Sequence, residues 1–547
     1  MMEENKKSGF LTQGLVLAVA SVIVRLIGLL YRIPLTNTIG DNGNGAYSNA
    51  FEVYNIALLL STYSIPTAIS KLISEREDKK QFRNSAKLLK TGLILAGGIG
   101  FCASFILFAG ADLIAKYIYK EADCATAIPL RVLAPTIFVF SMMGVIRGYF
   151  QGKHTVLPTS VSQIAEQVVN AVVSVVAAKI FMKIYANSAK VSAYGAAGGT
   201  LGTLCGALTA FLFLVFLLVI YSPYIKKRVR KDRTDSYEDS RTLIKIILLT
   251  MLPIVLNQTI YSISSFLDGV LLNQIFSAKG WSDDARRIVL GRYSTKFRLL
   301  TNVPIAVASA IGMAIIPSVV RANISGDRDN LHDKISQAVK LNMMIAFPSA
   351  VGMEVFASPI MQMIFKDSGD ALKMTSTMMY IGAVSIIFFS YSTTTNSILQ
   401  GISRLYTPMI HGAISLGIYV VLNALLLQFS PFGVYSLVIG NTVFPLIICV
   451  LNWISLRKYT GYVQEIDRTF IRIGCSSLMM GVLSFGLYRI LMLLLSRNTI
   501  CLCLSILFAV AVYFIFLLVF RALSEEELKE LPMGGRIVRV AKKMHLM

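Results

Sequence analysis

Fourteen apolar stretches of bilayer length succeed one another along the chain, at about 10–35, 46–70, 88–111, 129–150, 157–184, 193–221, 243–275, 293–320, 335–357, 374–400, 406–428, 433–456, 468–495 and 499–520. At about 1.5 Å of rise per residue, a helix of some 20 residues crosses a hydrocarbon core of roughly 30 Å. The pattern predicts an all-α membrane protein with about fourteen transmembrane helices. The stretches near Pro408 and Pro431 are the least regular. Twelve spans with two re-entrant segments is the competing count.

The pattern repeats. Gly45-Ala46-Tyr47-Ser48 returns as Gly291-Arg292-Tyr293-Ser294, Gln151-Gly152 followed by Pro158 returns as Gln400-Gly401 followed by Pro408, and Gly195 and Gly202 return as Gly433 and Gly440. The offsets are 246, 249 and 238 residues. A period holding six spans, an even number, leaves both halves in the same orientation, so two parallel six-helix lobes around a central cavity are expected. Spans thirteen and fourteen fall outside the repeat, as two extra C-terminal helices. The expected division is an N-lobe at 1–221, a basic cytoplasmic linker at 222–242, a C-lobe at 243–458, the added pair at 459–523 and a cytosolic tail at 524–547. In that tail Ser524-Glu525-Glu526-Glu527 reads as a capping box, and the basic segment after Gly535 reads as an amphipathic piece on anionic lipid or as a solvated end.

Composition agrees with this class and adds direction. Of 547 residues, 55% are hydrophobic and only 15% charged, with a mean hydropathy of +0.65. An ordinary soluble enzyme is excluded. The net charge of +22 sits between the apolar runs, where it is an orientation signal before it is a nucleic-acid footprint. Lys71, Arg76, Lys79, Lys80, Arg83, Lys87 and Lys90, then Lys226 through Arg233, then Arg457, Lys458, Arg468 and Arg472, and finally the tail, all fall on one side if every segment spans once. That side is the cytoplasm, with both termini in it and the chain in the cell membrane. Arg286, Arg287 and Arg292 are the exception, partly offset by Asp283 and Asp284. The first run is too long, and carries too many internal arginines, for a cleaved signal. Seven cysteines without metal spacing read as small buried hydrophobes.

No phosphate loop, H-E-x-x-H or G-x-S-x-G element is present, so the chain moves something rather than hydrolysing ATP or a substrate. Cofactors and metals are not expected. The chemistry is expected from ionisable groups inside the spans. Arg25 and Arg32, seven apart, lie within about 20° of each other on one helix. With Gly14, Ser21 and Gly28 they form a small and polar stripe. The second span carries Glu52, with Asn55, Thr62 and Pro66 on a similar face. Asn257, Tyr261, Ser264 and Asp268 make a stripe on the seventh span, and the eighth opens with Lys296 and Arg298. The excess of cations suits a multiply charged anion such as a diphosphate, which guanidinium groups bind in pairs of hydrogen bonds. Arg25, Arg32, Lys296 and Arg298 are therefore the candidate substrate ligands, and Glu52 and Asp268 set cavity charge or couple an ion. The competing reading makes Arg25–Glu52 a structural pair and lets the other cations reach the outer surface. Glu166 and Glu354 read as structural, and the hydroxyl run 390–396 as glue between helices.

Several of these residues resemble one family. VRLIG at 24–28 with YRIPL at 31–35, the Ile39-Gly40 to Tyr47 element, IPTAISK at 65–71, and IGMAIIPS at 311–318 followed by Ser325-Gly326-Asp327 resemble oligosaccharide-lipid flippases. These belong to the multidrug/oligosaccharidyl-lipid/polysaccharide (MOP) exporter superfamily. The chain is most similar there to the polysaccharide biosynthesis proteins of the stage V sporulation protein B and MurJ-type lipid II flippase branch, across about residues 8–456. The resemblance implies alternating access by two six-helix lobes around a cationic cavity, with Arg25 and Arg32 at the family's first-helix arginine positions and Arg298 within one residue of its eighth-helix arginine. The arginine of that branch's second helix is absent, where this chain reads Ile56-Ala57-Leu58-Leu59-Leu60. Spans thirteen and fourteen would form a groove for the lipid tail. The expected cargo is an undecaprenyl-pyrophosphate saccharide, lipid II or a related precursor, moved from the inner to the outer leaflet. The other expected partners are a coupling ion (Na+ or H+) and proteins of cell-wall synthesis. The alternatives are a cation-coupled multidrug antiporter of the same superfamily and a non-transporting scaffold of a cell-wall complex.

Overall fold

A computed structural model describes residues 2–153, 155–232, 234 and 238–523. Within its helices the side chains of 2–19, 21–22, 62–63, 252–254, 256–258, 260–261 and 311–315 are outside the described set. The tail 524–547 and the stripe positions Gly14, Ser21, Thr62, Asn257 and Tyr261 therefore lie outside the described residues.

All fourteen expected segments fall on helices, and no strand occurs among the described residues. In lipid the helix satisfies every backbone donor and acceptor within the segment itself. Among the described residues nine helices are long and apolar enough to cross a membrane, or eleven if each of two bent pairs is one span. Those pairs are Arg328–Val355 with Ala357–Phe365, bent by 80°, and Gly369–Gly382 with Ser385–Gly401, bent by 46°. The first two expected spans join at Gly40, whose φ of 68° and ψ of 175° break the otherwise helical stretch Met2–Leu58. Glycine takes that φ without the Cβ clash an L side chain would meet.

The chain forms two compact units, Met1–Thr295 and Lys296–Met547. In the first, Phe82–Ala109 and Val191–Arg230 flank Ala127–Gly152, and Leu157–Ile184 lies along Val191–Arg230. The described residues of 222–242 fall within the bounds of this unit. The helix Ser240–Ala278 packs on Met2–Leu58, Ile65–Asp78 and Phe82–Ala109. A core around Ala50, Tyr54, Tyr119, Leu130, Leu133 and Ile137 holds the centre of the unit. In the second unit Arg298–Ser325, Arg328–Val355 and Ser385–Gly401 enclose a core containing Ile335, Met343, Ile386 and Ile398. The last two helices, Arg472–Leu495 and Asn498–Val519, pack on each other. Tyr513 Oη donates to the Met344 carbonyl at 2.8 Å and fixes the pair to the unit. Large apolar side chains such as Ile94, Phe101, Phe105 and Phe108 on Phe82–Ala109 are exposed, as a lipid-facing row requires.

The hydroxyl run 390–396 does hold helices together. Asn342 donates to the Ser390 carbonyl at 3.0 Å. Asn452 donates to Thr395 Oγ1 at 2.8 Å and Asn396 Oδ1 at 2.9 Å, and its own Oδ1 lies 2.7 Å from His411 Nδ1. Every one of these groups is buried.

Candidate functional site

The site in the first unit is built on the two arginines of the opening helix. The Gly28 face of that helix, one turn from each, lies against Leu157–Ile184: a Cβ on Gly28 would sit 3.0 Å from Gln167 Nε2. Tyr31 Oη accepts from Asn170 Nδ2 at 3.3 Å on the same helix. Arg32 is half-buried, with its guanidinium carbon 5.3 Å from the Phe51 ring centre and 6.0 Å from that of Tyr47. Those two rings stack on each other at 5.4 Å. Tyr31 and Glu52 lie close enough to act electrostatically on the guanidinium. The rings give the cation an electrostatically favourable wall without neutralising it. Arg25, two turns away, is exposed.

Glu52 is half-buried on the second span. Asp268 is buried, and its Oδ2 accepts from Tyr293 Oη at 2.9 Å. Arg25, Arg32, Glu52 and Asp268 thus belong to the first unit, whereas Lys296 and Arg298 open the second. Arg298 is half-buried. Lys296 stands in a π-helical turn, Arg292–Phe297, a distortion of the kind often found at functional positions. Its ammonium lies 2.5 Å from Asp367 Oδ1, and Thr375 Oγ1 donates to the other oxygen of that carboxylate at 2.9 Å. The expected ligand Lys296 therefore already has a buried carboxylate of the protein against it. The structural reading of Glu166 agrees with its 2.8 Å ion pair to Arg147.

A second cluster of cations lies in the loops of the first unit. Arg286, Arg287 and Arg292, the exception to the charge pattern, tie together loops from three parts of the first unit. Arg287 donates to both oxygens of Asp123 at 2.8 and 2.7 Å, to Asp284 at 2.6 Å and to Asn42 Oδ1 at 2.8 Å, with Glu121 3.6 Å away. Arg286 reaches the carbonyls of Tyr119, Lys120 and Asn273 at 2.9, 2.9 and 3.0 Å and Asp283 at 2.5 Å. Arg292 pairs with Asp41 at 2.7 Å. Burial pushes the Asp123 carboxyl up, but the hydrogen bond and charge of Arg287 outweigh it and hold the group below its ordinary range. Glu121 is pushed up by burial despite Arg287. The offsetting pair Asp283–Asp284 was visible in the sequence, whereas Asp123 and Asp41 were too distant to be assigned.

A family model described as polysaccharide biosynthesis protein matches residues 10–323, and one described as MatE matches residues 295–425. Stage V sporulation protein B of Bacillus subtilis (strain 168) is 23% identical over 539 residues, which are 97% of this chain and 99% of that protein. Lipid II flippase MurJ of the same organism is 24% identical over 478 residues, covering 85% and 86%. Among solved structures, lipid II flippase MurJ in an inward closed conformation aligns with a TM-score of 0.65 at 16% identity, over 92% of this chain and 98% of that one. An inward-facing multidrug resistance MATE family transporter of the MOP superfamily also gives 0.65 at 16% identity, over 80% and 94%. These likenesses establish the two-lobe all-helical transporter fold. The chain belongs to the polysaccharide biosynthesis protein family.

Proposed function

We propose that the protein is a lipid-linked oligosaccharide flippase that carries an undecaprenyl-pyrophosphate saccharide, lipid II or a related wall precursor, from the inner to the outer leaflet by alternating access. The observation that carries this reading is Arg32, which stands in an apolar spanning helix over the stacked rings of Tyr47 and Phe51, with no carboxylate at salt-bridge distance among the described contacts. A guanidinium in hydrocarbon costs at least about 2.5 kcal/mol, so it is retained for a task. Arg25, Arg32 and Arg298 would bind the diphosphate, and Lys296 would join them where the anion displaces Asp367. Glu52 and Asp268 would limit the positive charge or take up a coupling cation, with an ion gradient or the membrane potential as the drive. The names of the relatives, flippases of lipid II among them, support the same cargo class.

The test is transport of a fluorescent undecaprenyl-diphosphate saccharide in proteoliposomes. Arg25→Ala and Arg32→Ala are expected to lower the rate at least about a hundredfold with insertion unchanged, two charge-assisted contacts being worth about 1.5–3 kcal/mol each. Wild-type rates in either variant would refute the assignment.

A further inference from the structure

A groove with a volume of about 630 Å³ opens in the first unit between Phe82–Ala109 and Ser240–Ala278. Thr91, Ile94, Gly98 and Cys102 line one wall, and Ser240 and Ile244 the other. Apart from the hydroxyls of Thr91 and Ser240, both near one end, these named side chains are apolar or absent. Gly98 makes the gap: a Cβ placed on it would meet no heavy atom within 4 Å. From Thr91 to Cys102 the helix climbs about 16 Å. That is half of a hydrocarbon core of roughly 30 Å, so the groove is one leaflet deep.

The polar end of the groove is cationic. Lys90 precedes Thr91 and lies one turn below Ile94, while Arg241 and Lys245 flank Ile244, and all three are exposed. Lys87 donates to the Glu238 carbonyl at 2.6 Å and adds a fourth positive charge. Among the described residues, the two carboxylates beside Ser240 are engaged. Glu238 is held by Arg76 at 2.7 and 2.9 Å, and Asp239 caps Ser240–Ala278 by accepting from the Arg241 backbone N–H at 3.2 Å. An apolar slot of leaflet depth with cations at its mouth has the form of a lipid site that recognises a phosphate.

We propose that this groove holds an anionic glycerophospholipid of the surrounding leaflet, with one acyl chain lying over Gly98 and the phosphate among Lys90, Arg241 and Lys245. The bound lipid would brace Phe82–Ala109 against Ser240–Ala278. The site is independent of the cargo site, since none of its residues belongs to the arginine stripe.

The experiment is native mass spectrometry of the full-length protein with phosphatidylglycerol or phosphatidylcholine of identical acyl chains. Wild type is expected to retain phosphatidylglycerol with about tenfold or greater preference. Gly98→Phe fills the slot and is expected to abolish that preference while leaving the lipid-free thermal midpoint unchanged, as the open space at Gly98 allows. Lys90→Gln, Arg241→Gln and Lys245→Gln are each expected to weaken retention about fivefold. Equal retention of the two lipids by wild type, or undiminished preference in Gly98→Phe, would overturn the proposal. So would displacement of phosphatidylglycerol from the groove by an equimolar polyprenyl diphosphate, which would reassign it to the cargo.

Discussion

Lys296 and Asp367 are 6% and 4% exposed at their side chains, and neither charge tolerates such a position alone. Together, with Thr375 on the second carboxylate oxygen, they form a neutral unit. Asp367→Leu removes the buried carboxylate that faces the ammonium and is expected to destabilise the protein by up to about 3–5 kcal/mol, read as a lower thermal midpoint in detergent. The double variant Lys296→Met/Asp367→Leu exchanges the pair for apolar side chains and should recover most of that loss. Transport should still fall severalfold in the double variant, because one proposed ligand of the diphosphate is lost while Arg25, Arg32 and Arg298 remain. Restored stability with wild-type transport would instead make Lys296 a structural partner of Asp367 alone. The comparison separates the two roles because it holds the fold constant while removing the charge.

The repeated tetrapeptides meet at the level of elements. A Cβ on Gly45 would lie 2.1 Å from the carbonyl oxygen of Arg287, and one on Gly291 would lie 2.2 Å from that of Asp41. The obstacles are backbone atoms, which cannot rotate aside. The short helix Asp283–Gly291 can therefore approach the start of the second span only through these two glycines. Gly45→Ala or Gly291→Ala is expected to destabilise by about 1–3 kcal/mol through overpacking. Gly98→Ala, in open space on a helix, should be neutral or slightly stabilising. Thermal midpoints in one detergent check all three. This contact also shows what the sequence could reveal. The recurrence of the tetrapeptide was visible, and so were the helices, since a run of apolar residues in lipid has little choice but to coil. That the two copies would face each other was not visible. Nor were Arg287 with Asp123 or Lys296 with Asp367, because such pairs are chosen by packing between residues 164 and 71 positions apart. Arg25 and Arg32 stood out for the opposite reason: their cost in a membrane is local and needs no partner to be noticed.

For the whole molecule, the use made of each arginine decides how the charge pattern is read. Arg286 and Arg287 are buried in a lattice of loop carboxylates and carbonyls, so their presence at that end follows from packing. The opposite end keeps Lys226, Lys227 and Arg230 only partly covered or exposed, near Lys79, Lys80 and Arg83, with Arg228 paired to Glu77 at 2.7 Å. Cations of that density beside span ends are retained on the cytoplasmic side during insertion. The expected orientation therefore puts 226–231 inside and 279–291 outside. In a background lacking the seven native cysteines, Lys279→Cys should react with a membrane-impermeant maleimide on intact cells, and Lys227→Cys only after permeabilisation; both positions are exposed. The reverse labelling pattern would invert the molecule. It would also place the cationic mouth of the Gly98 groove in the outer leaflet, so this one measurement bears on the leaflet from which that groove draws its lipid.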